Sequence, residues 1–342
     1  MKALEVKNLK VIFPIEGGIV RAVEGIDIEI EQGQCAAIVG ESGCGKSVTS
    51  LAVMKLLSTP PAIMRVDKLE LGGVDIKELS DKQMQKVRGK DVSMVFQDAL
   101  TALNPVMTVG KQIDEIFLAH GNLNFETAGE EGEKKRFNRK KEAKRRTIEA
   151  LKLVGISDAE MRYKAYSHQL SGGMRQRVLI AMAFACNPNL IIADEPTTAL
   201  DVTIQAQVLD ILKDLQKKQN TSLMLITHDL SIVMSMADEI YVMYSGKIVE
   251  RAKTRDLFVR PLHPYTMGLL GAIARLDDER GRFVQIPSSL PCPFRKPTGC
   301  YFHPRCQYAT DKCRQEMPVL EQLEGGRYVR CWRYKEIEYA KK

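Results

Sequence analysis

The sequence predicts an α/β fold organised around a buried parallel sheet. Short apolar runs at 35–39, 190–195 and 223–227 have the length and composition of strands that are covered on both faces. The first run leads into a glycine-rich loop and a predicted helix at 48–57, and the second precedes an amphipathic helix. Folds of this kind bind ligands at the carboxyl edge of the sheet, so the residues that follow each strand are candidate ligands.

The loop after the first strand carries the clearest chemical signal. Residues 40–47, Gly-Glu-Ser-Gly-Cys-Gly-Lys-Ser, match the phosphate-loop pattern G-x-x-x-x-G-K-[ST] at every fixed position. Successive backbone N–H groups can surround a phosphate, Lys46 can reach the β- and γ-phosphates, and the Ser47 hydroxyl can bind Mg²⁺. A chance glycine loop is the alternative, and the flanking strand and helix argue against it. The predicted nucleotide ligands here are Gly40, Ser42, Gly43, Cys44, Gly45, Lys46, Ser47 and Val48.

Composition narrows the class of protein. The chain has 342 residues, 44% of them apolar, and a net charge of +7, which allows a full core and two or three domains. No apolar stretch approaches the roughly 18–20 residues of a membrane-spanning helix, and the first residues lack a secretory signal. We therefore expect any membrane role to act through a partner. Nine of the thirteen residues at 134–146 are Lys or Arg, and this run fits a solvated helix face, a lipid contact or a nucleic-acid contact.

The N-terminal region reads as paired strands at 3–12 and 20–30, because apolar residues recur there with a broken period of two. Phe13 lies between the predicted strands. It is a candidate for stacking on an adenine ring, and ordinary packing of a loop aromatic is the alternative.

The middle of the chain changes from strand to helix. A predicted strand at 91–97 ends in Gln97, whose amide oxygen can bind Mg²⁺ or a water molecule, and capping of the loop is the alternative. A polar loop is predicted at 98–105. From 108 to 164 the apolar residues follow helical spacing, which predicts a helical insertion in the α/β domain.

Further polar residues follow at helix starts and strand ends. Ser171, Gly172 and Gly173 open a helix and offer a hydroxyl and backbone N–H groups to an anion, and a plain turn is the alternative. Asp194 and Glu195 end a buried strand, where Asp194 suits the surroundings of Mg²⁺ and Glu195 can polarise a water; a solvated strand end is the alternative. The predicted strand at 223–227 leads into His228, which can donate to a γ-phosphate, and a histidine satisfied within the core is the alternative.

In this order the motifs resemble those of the nucleotide-binding subunit of an ABC transporter, over about residues 3–255. The resemblance implies a P-loop NTPase core of the ABC type, with an antiparallel β subdomain, a helical subdomain at about 106–180 and a small loop-rich C-terminal domain at 256–342. It implies two subunits that clamp two ATP molecules, each between the phosphate loop of one chain and residues 171–173 of the other.

The same resemblance implies individual roles. Glu195 would be the catalytic base, His228 the switch histidine and Lys46 a phosphate-binding group. Gln97 and the helical segment would couple ATP to membrane subunits. Asp201, after Ala199 and Leu200, would contact the partner across the dimer.

A closer similarity links residues 97–105, 197–208 and 262–266, with the segment after Arg255, to bacterial and archaeal importers of dipeptides and oligopeptides. Two permease subunits, a homologous ATPase subunit and, indirectly, a solute-binding protein are the implied partners, at the cytoplasmic face of the membrane. Related importers carry nickel or other solutes, so they remain alternatives. A soluble ABC ATPase acting on nucleic acid is a further alternative, although the single cassette gives no reason to expect nucleic acid.

Eight cysteines without an export signal indicate thiols or metal ligands rather than disulfides. Cys35 and Cys186 lie in apolar runs and are predicted core residues. Five cysteines follow residue 256, where regular periodicity fades. Four of them form the candidate metal set: Cys300, Cys306, Cys313 and Cys331. On chemistry alone these thiolates suit zinc or a [4Fe–4S] cluster, and free thiols are the alternative. The resemblance implies the cluster, because some peptide-importer ATPases carry one at such cysteines. Cys292 is left out of the set.

Overall fold

The structure is a computed structural model that describes residues 1–121, 132–198, 200–272 and 290–337. The chain forms two compact units, each assembled from separate segments. Unit 1 comprises Met1, Glu31–Gly33 and Leu71–Leu223, and unit 2 comprises Lys2–Ile30, Gln34–Glu70 and Met224–Lys342.

The strands and helices follow one another along the whole chain. The strands are β1 Lys2–Ile15, β2 Gly18–Glu31, β3 Cys35–Val39, β4 Ile63–Arg65, β5 Lys68–Leu71, β6 Val74–Asp75, β7 Val92–Val95, β8 Leu190–Asp194, β9 Ser222–Thr227, β10 Glu239–Tyr244, β11 Lys247–Lys253, β12 Glu321–Gln322 and β13 Tyr328–Val329. The helices are α1 Lys46–Val53, α2 Asp81–Val87, α3 Ala99–Ala102, α4 Val109–His120, α5 Gly132–Leu153, α6 Ala159–Arg162, α7 Gly172–Phe184, α8 Val202–Gln219, α9 Leu230–Met236, α10 Thr254–Val259, α11 Pro264–Gly271 and α12 Asp311–Gln315. Short 3₁₀ turns lie at Ser167–Gln169, His303–Arg305 and Glu324–Gly326.

In unit 2 the central sheet has the order β12-β13-β11-β10-β3. β3 and β10 are parallel and buried at every position, as expected for strands covered on both faces. β10 and β11 form an antiparallel hairpin around Ser245 and Gly246. β13 pairs with β11, so the C-terminal segment contributes strands to the same sheet as the phosphate-loop strand.

The N-terminal strands of unit 2 form a second sheet in the order β2-β1-β5, with β4 antiparallel to β1. This confirms the predicted strands at 3–12 and 20–30, which are longer in the structure. Phe13 lies inside β1, so its predicted loop position is wrong; the strand continues to Ile15 before the chain turns.

In unit 1, β7 and β8 are parallel neighbours, with Val92 opposite Leu190 and Val95 opposite Ala193. The helical interpretation of 108–164 is confirmed by α4, α5 and α6 in the part of that segment that is described. The predicted strand at 91–97 is shorter, because hydrogen bonding to β8 ends at Val95 and Gln97 follows the strand.

Two further predicted boundaries differ from the structure. The predicted loop at 98–105 contains α3, which begins because the Asp98 side chain accepts a hydrogen bond from the backbone N–H of Leu100. Helix α1 ends at Val53 rather than 57, because Lys55 adopts a left-handed backbone conformation that a helix cannot continue through. Within the described ranges, no helix is long and apolar enough to cross a membrane.

Candidate nucleotide site

The phosphate loop joins β3 to α1 within unit 2. Two of its glycines are required by close approach of other backbone. A Cβ on Gly40 would lie 2.2 Å from the carbonyl oxygen of Met243. A Cβ on Gly45, which has φ +111°, would lie 2.4 Å from the carbonyl oxygen of Ala22. The glycine spacing therefore serves packing of the loop as well as exposure of its N–H groups.

Lys46 opens helix α1 and has 5% of its surface exposed. Its Nζ donates to the carbonyl oxygens of Gly40 (2.9 Å) and Glu41 (3.1 Å), so the loop curls around the ammonium group. Ser47 and Val48 are half-buried in the first turn of the same helix, where the positive end of the helix dipole favours an anion. The loop, the lysine and the helix start thus occupy the arrangement that the sequence predicts.

The variable positions of the loop divide by burial. Ser42 and Gly43 are exposed, whereas the Cys44 thiol is buried, and this burial raises its pKa. Cys44 therefore presents only its backbone to a ligand.

Glu195 follows β8 in unit 1 and has a positive φ of 46°. Its Oε2 accepts hydrogen bonds from Gln97 Nε2 (3.0 Å) and Thr198 Oγ1 (3.0 Å). A left-handed backbone conformation costs a non-glycine residue about 1–3 kcal/mol and is concentrated at functional sites. Through these hydrogen bonds the structure brings together two predicted residues, Gln97 and Glu195. It also places Thr198, a residue that the sequence analysis does not identify, against the Glu195 carboxylate. Its position three residues after the strand-end carboxylate was the available signal.

Asp194 is the last residue of β8 and is buried. Ser171 is the N-cap of α7, and its hydroxyl accepts a hydrogen bond from the Met174 backbone N–H. A Cβ on Gly173 would lie 2.5 Å from Ile204 Cγ2, so this glycine is also needed for packing between α7 and α8.

Two of the remaining candidates, His228 and Asp201, lie at the ends of their elements. His228 is exposed directly after β9, and Asp201 is the N-cap of α8. Phe13 is half-buried in β1. Ala199, part of the motif before Asp201, lies outside the described residues. The residues predicted for the nucleotide site thus divide between the units, with 40–48, Phe13 and His228 in unit 2 and the others in unit 1.

All four candidate cysteines line one cavity of about 20 Å³ in unit 2. Its other walls are largely apolar and include Pro264, Phe302, Pro318, Trp332 and Ile337. Cys292 is exposed and does not line this cavity. Of the predicted core cysteines, Cys35 is buried and Cys186 is half-buried.

Burial raises the pKa of three of these four thiols. Burial raises the pKa of Cys300 to about 11 and that of Cys331 to about 12, and it raises the pKa of Cys306 as well. Backbone N–H groups two residues further along the chain, at Phe302, Tyr308 and Arg333, donate to three of the sulfurs. Across the described ranges, no group of three or more His, Cys, Asp or Glu residues is gathered closely enough to hold a single metal ion.

Comparisons with known proteins identify the class. The family model "ABC transporter" matches residues 23–198. The dimeric post-hydrolysis structure of the ATP-binding cassette MJ0796, bound to ADP and Pi, has a TM-score of 0.60 and 25% identity, covering 74% of this chain and 99% of that one. The structure of cbiO1 from Clostridium perfringens, part of an ABC transporter complex, also has a TM-score of 0.60 and 25% identity, covering 75% and 91%. The fold and the phosphate loop are those of an ABC ATPase.

Curated relatives narrow the family. The oligopeptide transport ATP-binding protein AppD of Bacillus subtilis is 48% identical over 97% of both chains. The dipeptide transport ATP-binding protein DppD of Escherichia coli is 46% identical over 97% of this chain and 96% of its own. The model "Oligopeptide/dipeptide transporter, C-terminal region" matches residues 249–313. The chain belongs to the oligopeptide and dipeptide transporter family of ABC ATP-binding proteins.

Proposed function

We propose that this chain is the ATP-hydrolysing subunit that powers import of dipeptides or oligopeptides through an ABC transporter. The observation that carries the proposal is identity of 46–48% over nearly the whole length of two peptide-transport ATP-binding proteins. The match of the C-terminal region to the peptide-transporter model supports peptides over nickel or another solute.

The subunit works with two membrane permeases at the cytoplasmic face of the membrane and pairs with a second ATPase subunit, either a copy or a homologue. A solute-binding protein delivers the peptide to the permeases. The dimeric state of the MJ0796 cassette supports this pairing. In the dimer, residues 171–173 of one subunit contact the ATP held by the phosphate loop of the other, and Asp201 contacts the partner.

Residues 40–48 bind the ATP phosphates through backbone N–H groups and the Lys46 ammonium, and Phe13 stacks on the adenine. Bound Mg²⁺ would supply positive charge to the phosphate oxygens. Ser47 and Gln97 are its proposed ligands, with Asp194 as an outer partner. Hydroxyl, amide and carboxylate oxygens are the donor set that Mg²⁺ prefers, so the residues fit the ion.

Hydrolysis uses a carboxylate as the proton acceptor and cationic side chains that stabilise the developing negative charge. A water oxygen forms a bond to the γ-phosphorus, the bond to the β–γ bridging oxygen breaks, and ADP leaves with that electron pair. Glu195 takes the water proton, Lys46 bears part of the developing charge, and His228 donates to the γ-phosphate. Hydrogen bonds from Gln97 and Thr198 keep the Glu195 carboxylate in one orientation.

Peptide uptake in cells tests this function. Cells that lack the chain receive wild type, Lys46→Ala or Lys82→Ala, where Lys82 is an exposed control lysine. We expect uptake of a radiolabelled tripeptide from wild type and Lys82→Ala, and none from Lys46→Ala. Uptake of Ni²⁺ with no peptide uptake would show that the transported solute is nickel rather than a peptide. Equal peptide uptake with Lys46→Ala would contradict an ATP-driven role.

We further propose that residues 1–255 form the nucleotide-binding domain, with the helical subdomain at about 106–180, and that 256–342 form an extension whose cysteines hold a [4Fe–4S] cluster. All four cysteines line one cavity with largely apolar walls, and backbone N–H groups donate to three of the sulfurs. Thiolate ligands, N–H donors to sulfur and low solvent exposure are the protein features that hold and tune an iron–sulfur cluster. Zinc is the alternative for the same four thiolates.

Metal analysis of protein purified without oxygen tests the extension. We expect a broad absorption near 400 nm and about four irons and four sulfides per chain. Cys331→Ser should lose most of the iron, and Cys292→Ser, the matched control, should keep it. One zinc per chain would show that the cysteines hold a structural zinc ion instead of a cluster. Absence of both metals would contradict a metal site.

A further inference from the structure

Two residues of the C-terminal segment contact the phosphate loop within unit 2. Arg305 donates from both terminal nitrogens to the Glu41 carboxylate, at 2.7 Å from Nη1 to Oε2 and 3.0 Å from Nη2 to Oε1. Tyr265 accepts a hydrogen bond of 2.9 Å from the Glu41 backbone N–H. Glu41 is the first variable residue of the phosphate loop, so residues far along the chain hold both its side chain and its backbone.

Arg305 is held in place by burial and by packed aromatic rings. The Arg305 side chain is only 4% exposed, and its guanidinium lies 5.9 Å from the Tyr244 ring centroid. The Tyr244 ring packs edge-on against Tyr265 (4.7 Å) and Phe302 (5.2 Å). A planar guanidinium held by two parallel hydrogen bonds over packed rings has few alternative positions, so Arg305 can fix the place of Glu41.

The charge of Glu41 gives this contact a functional consequence. The Glu41 carbonyl oxygen accepts from Lys46 Nζ, so the residue touches the proposed phosphate-binding group. A carboxylate beside a polyphosphate repels it unless a cation compensates the charge. Arg305 supplies that cation in a nearly dry position, where salt screens it little.

We propose that Arg305 is a positioning residue for ATP: it neutralises Glu41 and holds that residue in the conformation that leaves the phosphate loop open to the nucleotide. This inference rests on the proposed binding of ATP by residues 40–48. It adds a residue of the C-terminal segment to the loop, on the turn between Cys300 and Cys306.

ATP affinity of the purified full chain, measured by calorimetry, tests the proposal. Arg305→Met leaves an uncompensated, partly buried carboxylate and should raise the Kd for ATP about tenfold or more. Arg305→Lys keeps the positive charge but cannot form the two parallel hydrogen bonds to Glu41. Its Kd for ATP should lie between those of Arg305→Met and wild type. The double variant Glu41→Gln/Arg305→Met should return to within about threefold of wild type. Arg314→Met, an exposed arginine paired with Asp311, is the control and should bind as wild type.

The outcomes separate the possible failures. A folded Arg305→Met variant with wild-type affinity would overturn the proposal. A double variant as weak as Arg305→Met would show that packing, not compensation of Glu41, explains the loss. If Arg305→Met does not fold, the Arg305→Lys variant tests the proposal. Unchanged ATP affinity in that variant would contradict a role for the paired hydrogen bonds from the guanidinium to Glu41. Wild-type protein that binds no ATP would instead contradict the proposed function.

Discussion

The buried carboxylate of Glu250 gives the strongest stability prediction. Glu250 lies on β11 and is fully buried. Its two oxygens accept hydrogen bonds of 2.9 Å from the backbone N–H groups of Leu262 and His263, and Arg327 lies 3.3 Å away. One side chain therefore joins the sheet to the start of α11 and to the segment before β13.

Glu250→Leu removes the acceptor, so two buried N–H groups lose their partner and the half-buried Arg327 loses its ion pair. Removing one partner of such a buried network costs about 3–5 kcal/mol. At about 2 °C per kcal/mol for a chain of this size, the Tm should fall by about 6–10 °C. Glu250→Gln retains one acceptor oxygen and should show roughly half of this loss.

Thermal unfolding followed by circular dichroism measures the loss, and hydrogen exchange at Leu262 and His263 locates it. Glu16→Gln, a change of the same type in an exposed turn, is the control and should leave Tm within about 1 °C. A Glu250→Leu protein with the Tm and amide protection of wild type would refute the reasoning, because buried N–H groups without an acceptor would then carry no penalty.

Two further predictions concern backbone space and acid stability. Gly45→Ala should weaken ATP binding more than tenfold in calorimetry, whereas Gly73→Ala, also at positive φ but with open space around a Cβ, should cost only about 1–2 kcal/mol of stability and keep ATP affinity. Burial raises the pKa of Glu29, but hydrogen bonds from Lys2 and Lys7 outweigh burial and lower it to about 2. Because the folded pKa is the lower one, the stabilisation is present above about pH 5 and lost as pH falls toward 2. The Tm difference between wild type and Glu29→Gln should shrink over that range, and a constant difference would contradict the ion pairs.

The sequence predicts the site best where function depends on a short local pattern. The phosphate loop requires glycines, a lysine and a hydroxyl within eight consecutive residues, so the loop and the start of α1 could be predicted together. Glu195 could be predicted as well, because a carboxylate that ends a buried strand lies at the ligand-binding edge of the sheet.

Contacts between distant residues could not be predicted in this way. Arg305 and Glu41 are separated by 264 positions, and nothing in the sequence indicates that this arginine pairs with this glutamate. The two-residue strand β13 is too short to show alternation, so its pairing with β11 has no sequence signal. The extension of β1 through Phe13 to Ile15 also has no sequence signal, because strand length depends on hydrogen bonds to neighbouring strands rather than on composition.

Phosphate release by the transporter complex, isolated through a tag on this chain, tests the central proposal most directly. Wild type should hydrolyse ATP, and Glu195→Gln should reduce turnover by at least about 100-fold because the proton acceptor is lost. ATP affinity of that variant should stay within about threefold of wild type, since the phosphate loop is unchanged. Equal turnover of the two proteins would contradict the account, because the buried carboxylate after β8 would then have no part in hydrolysis.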